Sequence, residues 1–276
     1  MMQVVTAGAR QVRVLITNDD GIESPGLHAL AAAVASTGNV VVVAAPQVDM
    51  SGQSAAIGRL HVDRTIDVQE RTFEGLDGIQ CHAVDGPPAL CVIAAHLGAF
   101  GDPPDVVVSG INPGPNTGGA VLHSGTVGAA LTAANFDLSG MAVSMGVGDP
   151  MHWETPALLA VPVLEWLIDQ PRRTVVNLNV PNLLLGSVRG VEWGELARFG
   201  SVRTALVESQ GGRLQMEFVG RREEHPEDTD AGLVDRGYAA LTLLRGVSAA
   251  APAPDLADAV AGALLRRSDY KYEVPQ

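Results

Sequence analysis

A chain of 276 residues with 46% hydrophobic and 18% charged side chains carries enough apolar material for a sizeable core, which excludes intrinsic disorder. A formal net charge of −13 excludes nucleic-acid backbones and anionic membrane surfaces as electrostatic partners. A small anionic substrate would therefore need a local cation or a set of backbone donors.

Val12 to Thr17 is a short apolar run that ends in Asn18-Asp19-Asp20-Gly21, and it predicts a strand. Ser24-Pro25 then has the form of an N-cap followed by proline at the first helical position. Leu27, Leu30 and Val34 recur at helical spacing, and Gly38 supplies the stop. Val40 to Ala45 is valine-rich without polar alternation, as in a strand buried on both faces. Strand, helix and strand at this spacing make a βαβ unit. Leu60 to Ile66 and Ile79 to Ala83 alternate as a side hairpin, and Pro88 to His96 reads as a helix. Val106 to Val108 is a further buried strand, followed by a glycine-rich loop from Gly110 to Gly119. Ser124 caps a helix that runs to about Asn135, Met141 to Met145 reads as a strand, and Thr155-Pro156 opens a helix that Pro162 bends. Val175 to Val180 is the next strand. This alternation predicts an α/β fold with a mostly parallel sheet.

After Pro181 the character changes. Val202 to Ser209 and Arg213 to Val219 flank Gly211-Gly212 as a hairpin, Tyr238 to Leu244 reads as a strand, and Asp255 to Arg267 as a helix. The chain is thus expected to be a single domain over 1–276, with a core over about 11–185 and an extension over about 186–276 suited to oligomerisation. Cys81 and Cys91 fit no zinc spacing and no disulfide framework, and read as buried apolar side chains. Met1 to Arg10 lacks a basic start followed by an apolar run, and no apolar run approaches a membrane span, so the expected setting is the cytoplasm without a membrane.

In open α/β sheets, ligands bind at the carboxyl ends of the strands, where strand order reverses. Three polar clusters occupy such ends. Asp19 and Asp20 follow the first strand, Ser51-Gly52 the second, and Asn112 and Asn116 the strand over Val106 to Ser109. Two neighbouring carboxylates repel, and a divalent cation removes that conflict. The oxygen-only set of Asp19, Asp20, Ser51 and Asn112 suits magnesium, manganese or calcium and suits zinc or copper poorly. Gly110 to Gly128 holds six glycines, and Ser124-Gly125-Thr126 adds hydroxyls at a helix start, so that the segment could cradle a phosphate. No Walker A lysine follows.

Val14-Leu15-Ile16-Thr17-Asn18-Asp19-Asp20-Gly21-Ile22 with Ser24-Pro25-Gly26 resembles the opening of the SurE family. Ala45-Pro46 with Ser51-Gly52 is similar to its second motif. Ser109-Gly110-Ile111-Asn112-Pro113-Gly114-Pro115-Asn116 with Ser124-Gly125-Thr126-Val127-Gly128-Ala129-Ala130 is similar to its third. Val176 to Asn182, Thr229-Asp230 and Gly237-Tyr238 match weaker downstream landmarks. The resemblance implies a three-layer Rossmann-like core with a C-terminal hairpin and helix. It implies a metal-dependent 5′/3′-nucleotidase with one divalent ion per subunit on Asp19, Asp20, Ser51 and Asn112. It further implies a phosphate-binding set of Asn18, Gly52, Asn116, Ser124, Gly125 and Thr126, with Asp19, Asp20 and Asn116 catalytic, in a homodimer or homotetramer.

On that basis one of Asp19 and Asp20 orients or deprotonates the attacking water, with the choice between them open. A broad-specificity acid phosphatase, an aspartyl-phosphate enzyme and a non-catalytic nucleotide-binding module are the competing readings. The aspartyl-phosphate chemistry expects Asp-x-Asp where this chain has Asn18-Asp19-Asp20, and no Gly-x-Ser-x-Gly nucleophile elbow is present. His123 near the loop, and Trp193 and Phe199 downstream, read as bystander and packing residues.

Overall fold

The computed structural model describes residues 11–58, 65–198, 202–210, 213–220, 224–251, 256–258 and 260–261, with the two segments over 202–220 described as backbone. The elements below belong to one compact unit that ends at Gly246, and Val247–Gln276 form a second.

Strand β1 (Arg13–Thr17) pairs in parallel with β2 (Val40–Pro46) on one side and with β5 (Val106–Pro113) on the other. Beyond β2 lie β4 (Gln80–Val84), also parallel, and the antiparallel edge strand β3 (Val68–Arg71). Beyond β5 lie β6 (Ser139–Met145) and β7 (Val175–Val180), both parallel, then β11 (Ala239–Leu244), antiparallel to β7, and the short β8 (Val191–Trp193). The nine strands run β3-β4-β2-β1-β5-β6-β7-β11-β8. From β1 the chain turns first toward β2 and later toward β5, which places the switch point between β1 and β5. Both sheet edges are short, which limits unwanted strand pairing.

Each central strand feeds two cores. Val14 and Ile16 of β1 pack with Val43, Ala45 and Val108 on one face, while Leu15 packs with Val42, Ala44 and Val107 on the other. This is why the runs show no polar alternation. Helix α1 (Pro25–Ala35) covers the first face with α4 (Glu154–Ile168); α2 (Pro88–His96) and α3 (Gly125–Asn135) cover the second. The result is the three-layer, mostly parallel α/β sheet expected from the sequence. Leu27, Leu30 and Val34 form the buried face of α1, and removing one such side chain would cost about 2–5 kcal/mol.

Several local expectations need correction. Ser24 stands at the N-cap of α1, but its side chain makes no capping bond; the start is set by Pro25, and the Ser24 carbonyl accepts from the His28 N–H at 3.2 Å. The glycine-rich loop begins later than Gly110, because Asn112 and Pro113 continue to pair with Ser144 and Met145 after a register shift. Gly110 makes that shift: at φ +141° it lies where a Cβ would come 2.3 Å from the Val143 carbonyl oxygen. The antiparallel partner of β4 is Val68–Arg71 rather than Leu60 to Ile66, of which residues 60–64 lie outside the described residues. The hairpin is present as antiparallel β9 (Val202–Gln210) and β10 (Arg213–Gly220). A short helix, α5 (Asp230–Asp235), precedes β11. The helix expected over 255–267 lies largely outside the described residues, as does Phe199. Two strands of the extension, β8 and β11, belong to the core sheet.

Candidate active site at the switch point

The loops after β1 and β5 meet at the reversal of strand order, and both aspartates sit there. Asp19 is buried against the start of α3. The Gly125 N–H donates to its Oδ2 at 3.1 Å and the Thr126 hydroxyl to its Oδ1 at 2.5 Å. A Cβ on Gly125 would come 2.7 Å from Asp19 Oδ2, so only glycine lets the carboxylate approach. Burial raises the Asp19 carboxyl above the ordinary carboxylate range, and the hydrogen bonds from Thr126 and Gly125 oppose that rise. Gly125 and Thr126 had been expected to cradle phosphate. Here their donors are spent on Asp19, because a helix N-terminus takes the nearest anion. Ser124 caps the same helix, its Oγ accepting from the Val127 N–H at 3.1 Å.

Asp20 has the opposite surroundings. Its Oδ2 is buried without a hydrogen-bond partner. Burial, then the charge of Asp19, then that of Asp49, push its carboxyl up to about 7. The sequence assigns Asp49 no role. Its Oδ1 accepts from the Ser51 N–H at 2.8 Å and the Ser51 hydroxyl at 2.6 Å, and the loop is tied to β1 by the Met50 N–H donating to the Asp19 carbonyl at 2.7 Å. The signal for Asp49 was its place two residues before Ser51, which let it close a turn onto that serine. Among the described residues no three His, Cys, Asp or Glu side chains converge to hold an ion, so the candidate cation set rests on two carboxylates with hydroxyl and amide oxygens.

The neutral members of that set, Ser51 and Asn112, share one arrangement with Asn18, the residue expected on the phosphate. Ser51 spends its proton on Asp49, Asn112 Nδ2 donates to the Gly114 carbonyl at 2.6 Å, and Asn18 Nδ2 donates to the Gly21 carbonyl at 3.0 Å. Each bond consumes a donor and leaves the side-chain oxygen its lone pairs; Asn18 Oδ1 is buried with no partner. These oxygens stand at the same end of the sheet as the two carboxylates and are ligands of the kind a hard cation takes. Gly52 is exposed at φ +80° with open space around it, so its glycine answers a backbone need rather than a close approach.

Asn116 is held by residues that the sequence reading had not assigned. Its N–H donates to Asn179 Oδ1 at 2.8 Å, and its carbonyl accepts from Asn177 Nδ2 at 2.8 Å and Asn179 Nδ2 at 3.0 Å. Its own Nδ2 donates to Ser144 Oγ at 2.9 Å. Asn177 and Asn179 alternate along β7 and so face the same side of the sheet, which is the periodicity that could have found them. His123 is exposed, and Trp193 packs edge-on to Trp166 at 6.2 Å on the β8 side of the sheet. Cys81 and Cys91 are buried free thiols, and burial pushes that of Cys91 up to about 12. Among the described residues no helix is long and apolar enough to cross a membrane.

Comparison with known proteins converges on one family. The family model described as survival protein SurE matches residues 14–202. The chain is 35% identical over 241 residues to the 5′/3′-nucleotidase SurE of Cronobacter sakazakii, which covers 84% of this chain and 90% of that protein. It is 40% identical over 185 residues to the 5′-nucleotidase SurE of Xanthomonas campestris, covering 66% of this chain and 68% of the relative. The crystal structure of the SurE protein of Aquifex aeolicus superimposes with a TM-score of 0.70 at 27% identity, over 84% of this chain and 93% of that one. The family model, the sequence identity and the superposition agree over the segment that carries the paired aspartates, and the chain belongs to the SurE family.

Proposed function

We propose that this protein is a phosphomonoesterase that hydrolyses nucleoside monophosphates, at the 5′ or 3′ position, to nucleoside and phosphate. The observation that carries the reading is a pair of buried oxygens without a donor after β1, Asp20 Oδ2 and Asn18 Oδ1, with Ser51 and Asn112 on the loops and strand at the same end of the sheet. The names of the relatives supply the substrate class. Asp19, Asp20, Ser51 and Asn112 would hold one divalent cation, magnesium, manganese or calcium. Bound there, it would polarise a phosphate oxygen and offset charge.

The chain's own residues would do the rest. Asp19, with both oxygens already accepting hydrogen bonds, is fixed in place. Asp20, with a donor-free oxygen, orients the attacking water and takes up its proton. Water oxygen bonds to phosphorus as the bond from phosphorus to the nucleoside oxygen breaks, and the leaving oxygen takes a proton from bulk water. Asn116, Asn18, the Gly52 N–H and the Ser124 hydroxyl would face the phosphate oxygens. The pinning of Asp19 argues against an aspartyl-phosphate route, because a nucleophile must be free to move onto phosphorus. The reading also has the chain act in the cytoplasm as a homodimer or homotetramer, which light scattering tests.

The deciding experiment is phosphate release from a panel of nucleoside monophosphates with chelator, magnesium or manganese. Metal-dependent release from wild type is expected. Tight nucleotide binding with no release under any metal would instead leave a binding module, and metal-independent release would discard the cation from the scheme.

A further inference from the structure

Asn116 is carried on a short irregular segment between Gly114 and a 3-10 turn (Gly118–His123) that opens on two glycines, a composition that resists little deformation by itself. A residue that must meet a phosphate needs that loop held at both ends. One end is held by Asn177 and Asn179 of β7. The other is held from outside the parallel strands. The Gly118 N–H donates to Asp230 Oδ2 at 2.8 Å, across 112 residues of sequence.

Asp230 is completely buried at the start of α5. Its Oδ1 accepts from the Ala197 N–H at 2.9 Å and the Ala231 N–H at 2.8 Å. Its own N–H donates to the Glu195 carbonyl at 2.8 Å. Gly194 lies where a Cβ would come 2.7 Å from the Asp230 nitrogen. The carboxylate is therefore itself fixed, by the segment before β9 and by its own helix. A buried carboxylate is costly unless its oxygens are met by donors, and three backbone N–H groups meet it here. The consequence is a rigid link from the extension to the loop that carries Asn116.

We infer that Asp230 is a positioning residue for phosphoester hydrolysis: through Gly118 it sets the backbone of the glycine-rich loop and so the placement of Asn116. This rests on the nucleotidase reading above. The test pairs backbone amide exchange on the full-length protein with steady-state phosphate release under manganese, for wild type, Asp230→Asn and Thr229→Ala. Thr229 caps the same helix, its Oγ accepting from the Gly232 N–H at 3.2 Å, and removing it leaves the Asp230 carboxylate in place.

In wild type the Gly118 amide is expected to exchange slowly although, as the first N–H of the 3-10 turn over Gly118–His123, it has no partner within that turn. Asp230→Asn should speed exchange at Gly118 and Asn116 and lower kcat about tenfold, with KM and the manganese half-saturation point unchanged. Thr229→Ala should lower the melting temperature and keep kcat. The inference is overturned if folded Asp230→Asn keeps wild-type kcat, or if Thr229→Ala loses as much kcat for the same loss of melting temperature. If Asp230→Asn does not fold, a Gly118 amide in wild type that exchanges like an unprotected loop amide overturns it, and a protected one supports it. A wild type that releases no phosphate would defeat the nucleotidase reading, and exchange at Gly118 and Asn116 in Asp230→Asn alone would then decide the tether.

Discussion

The two sides of the candidate site are built on opposite principles. On the Asp20 side, the carboxylate is half-buried, has a donor-free oxygen and feels the charges of Asp19 and Asp49. On the Asn116 side, the backbone N–H and carbonyl are engaged, one side-chain N–H goes to Ser144, and Gly118 is tied to Asp230. One side is left without donors, and the other has its backbone bonded throughout, with Asn177 Oδ1 the buried oxygen still open there. An incomplete acidic pocket is stable in the folded state only at a cost that a cation can offset. A backbone tied by several amide bonds is held in place, which suits a surface against which a phosphate is aligned. Asp19 lies between the two: charged like the first side, hydrogen-bonded like the second.

That comparison predicts its largest effect at Asp19. Asp19→Asn replaces an oxygen that accepts from Gly125 or Thr126 with an NH2 that cannot, while also removing a carboxylate from the cation set. Phosphate release should fall by about 10²-fold or more. Steady-state assays across a manganese titration check this; activity restored by excess metal would show that Asp19 serves affinity alone. Gly125→Ala comes next. Its Cβ would stand 2.7 Å from Asp19 Oδ2 and 2.8 Å from Asp19 Cβ, so the carboxylate must withdraw from the helix start. A loss of about 1–3 kcal/mol in stability is expected from such overpacking, with most of the activity lost alongside. Chemical denaturation and turnover measured together would sink this if turnover survived intact. Asn179→Ala should be milder in turnover. It strips two of the three bonds that fix the Asn116 backbone and leaves a half-buried N–H unmet, for about 1–3 kcal/mol in stability and about tenfold in kcat with KM little changed. A change confined to KM would mean that the clamp serves binding instead.

The acidic side was legible in the sequence, and much of the amide side was not. Asp19, Asp20, Ser51 and Asn112 lie at strand ends, and a strand end is marked locally by an apolar run meeting polar residues. The helix start at Ser124 was equally local, since a cap bonds three residues ahead. Asn177, Asn179 and Asp230 reach the Asn116 loop across 61, 63 and 112 residues, and their roles follow from strand order, which no local pattern encodes. The fate of Gly125 and Thr126 failed for a related reason. A helix N-terminus shows that an anion is wanted, but it does not say that Asp19 of another strand will arrive first. Gly110 was read as the start of a loop because glycine usually is one; only the close approach of Val143 reveals a bulge inside a continuing strand.

The smallest expected effect separates the two sides most cleanly, because it appears in stability rather than activity. The folded state raises the Asp20 carboxyl from 3.8 to about 7. Below the unfolded value both states hold the proton, and the site costs nothing. Between about 4 and 7 the unfolded chain ionises while the folded one keeps its proton, so stability falls as pH rises, and above 7 the penalty is constant. Partial exposure of the carboxylate reduces the cost to about 1–2 kcal/mol. Asp20→Asn removes the ionisation altogether. In chelator, the melting temperature of Asp20→Asn minus that of wild type should therefore grow from near zero at pH 4 to a plateau above pH 7. Saturating manganese should shrink or reverse that difference at pH 8, because it binds the wild-type carboxylate and stabilises by mass action. A corresponding pair at Asn116, with Asn116→Ala compared to wild type, should show a difference that does not vary with pH, since no proton is exchanged there. A flat profile for Asp20→Asn would mean that solvent already compensates the carboxylate, and the acidic side would then be no more incomplete than the amide side.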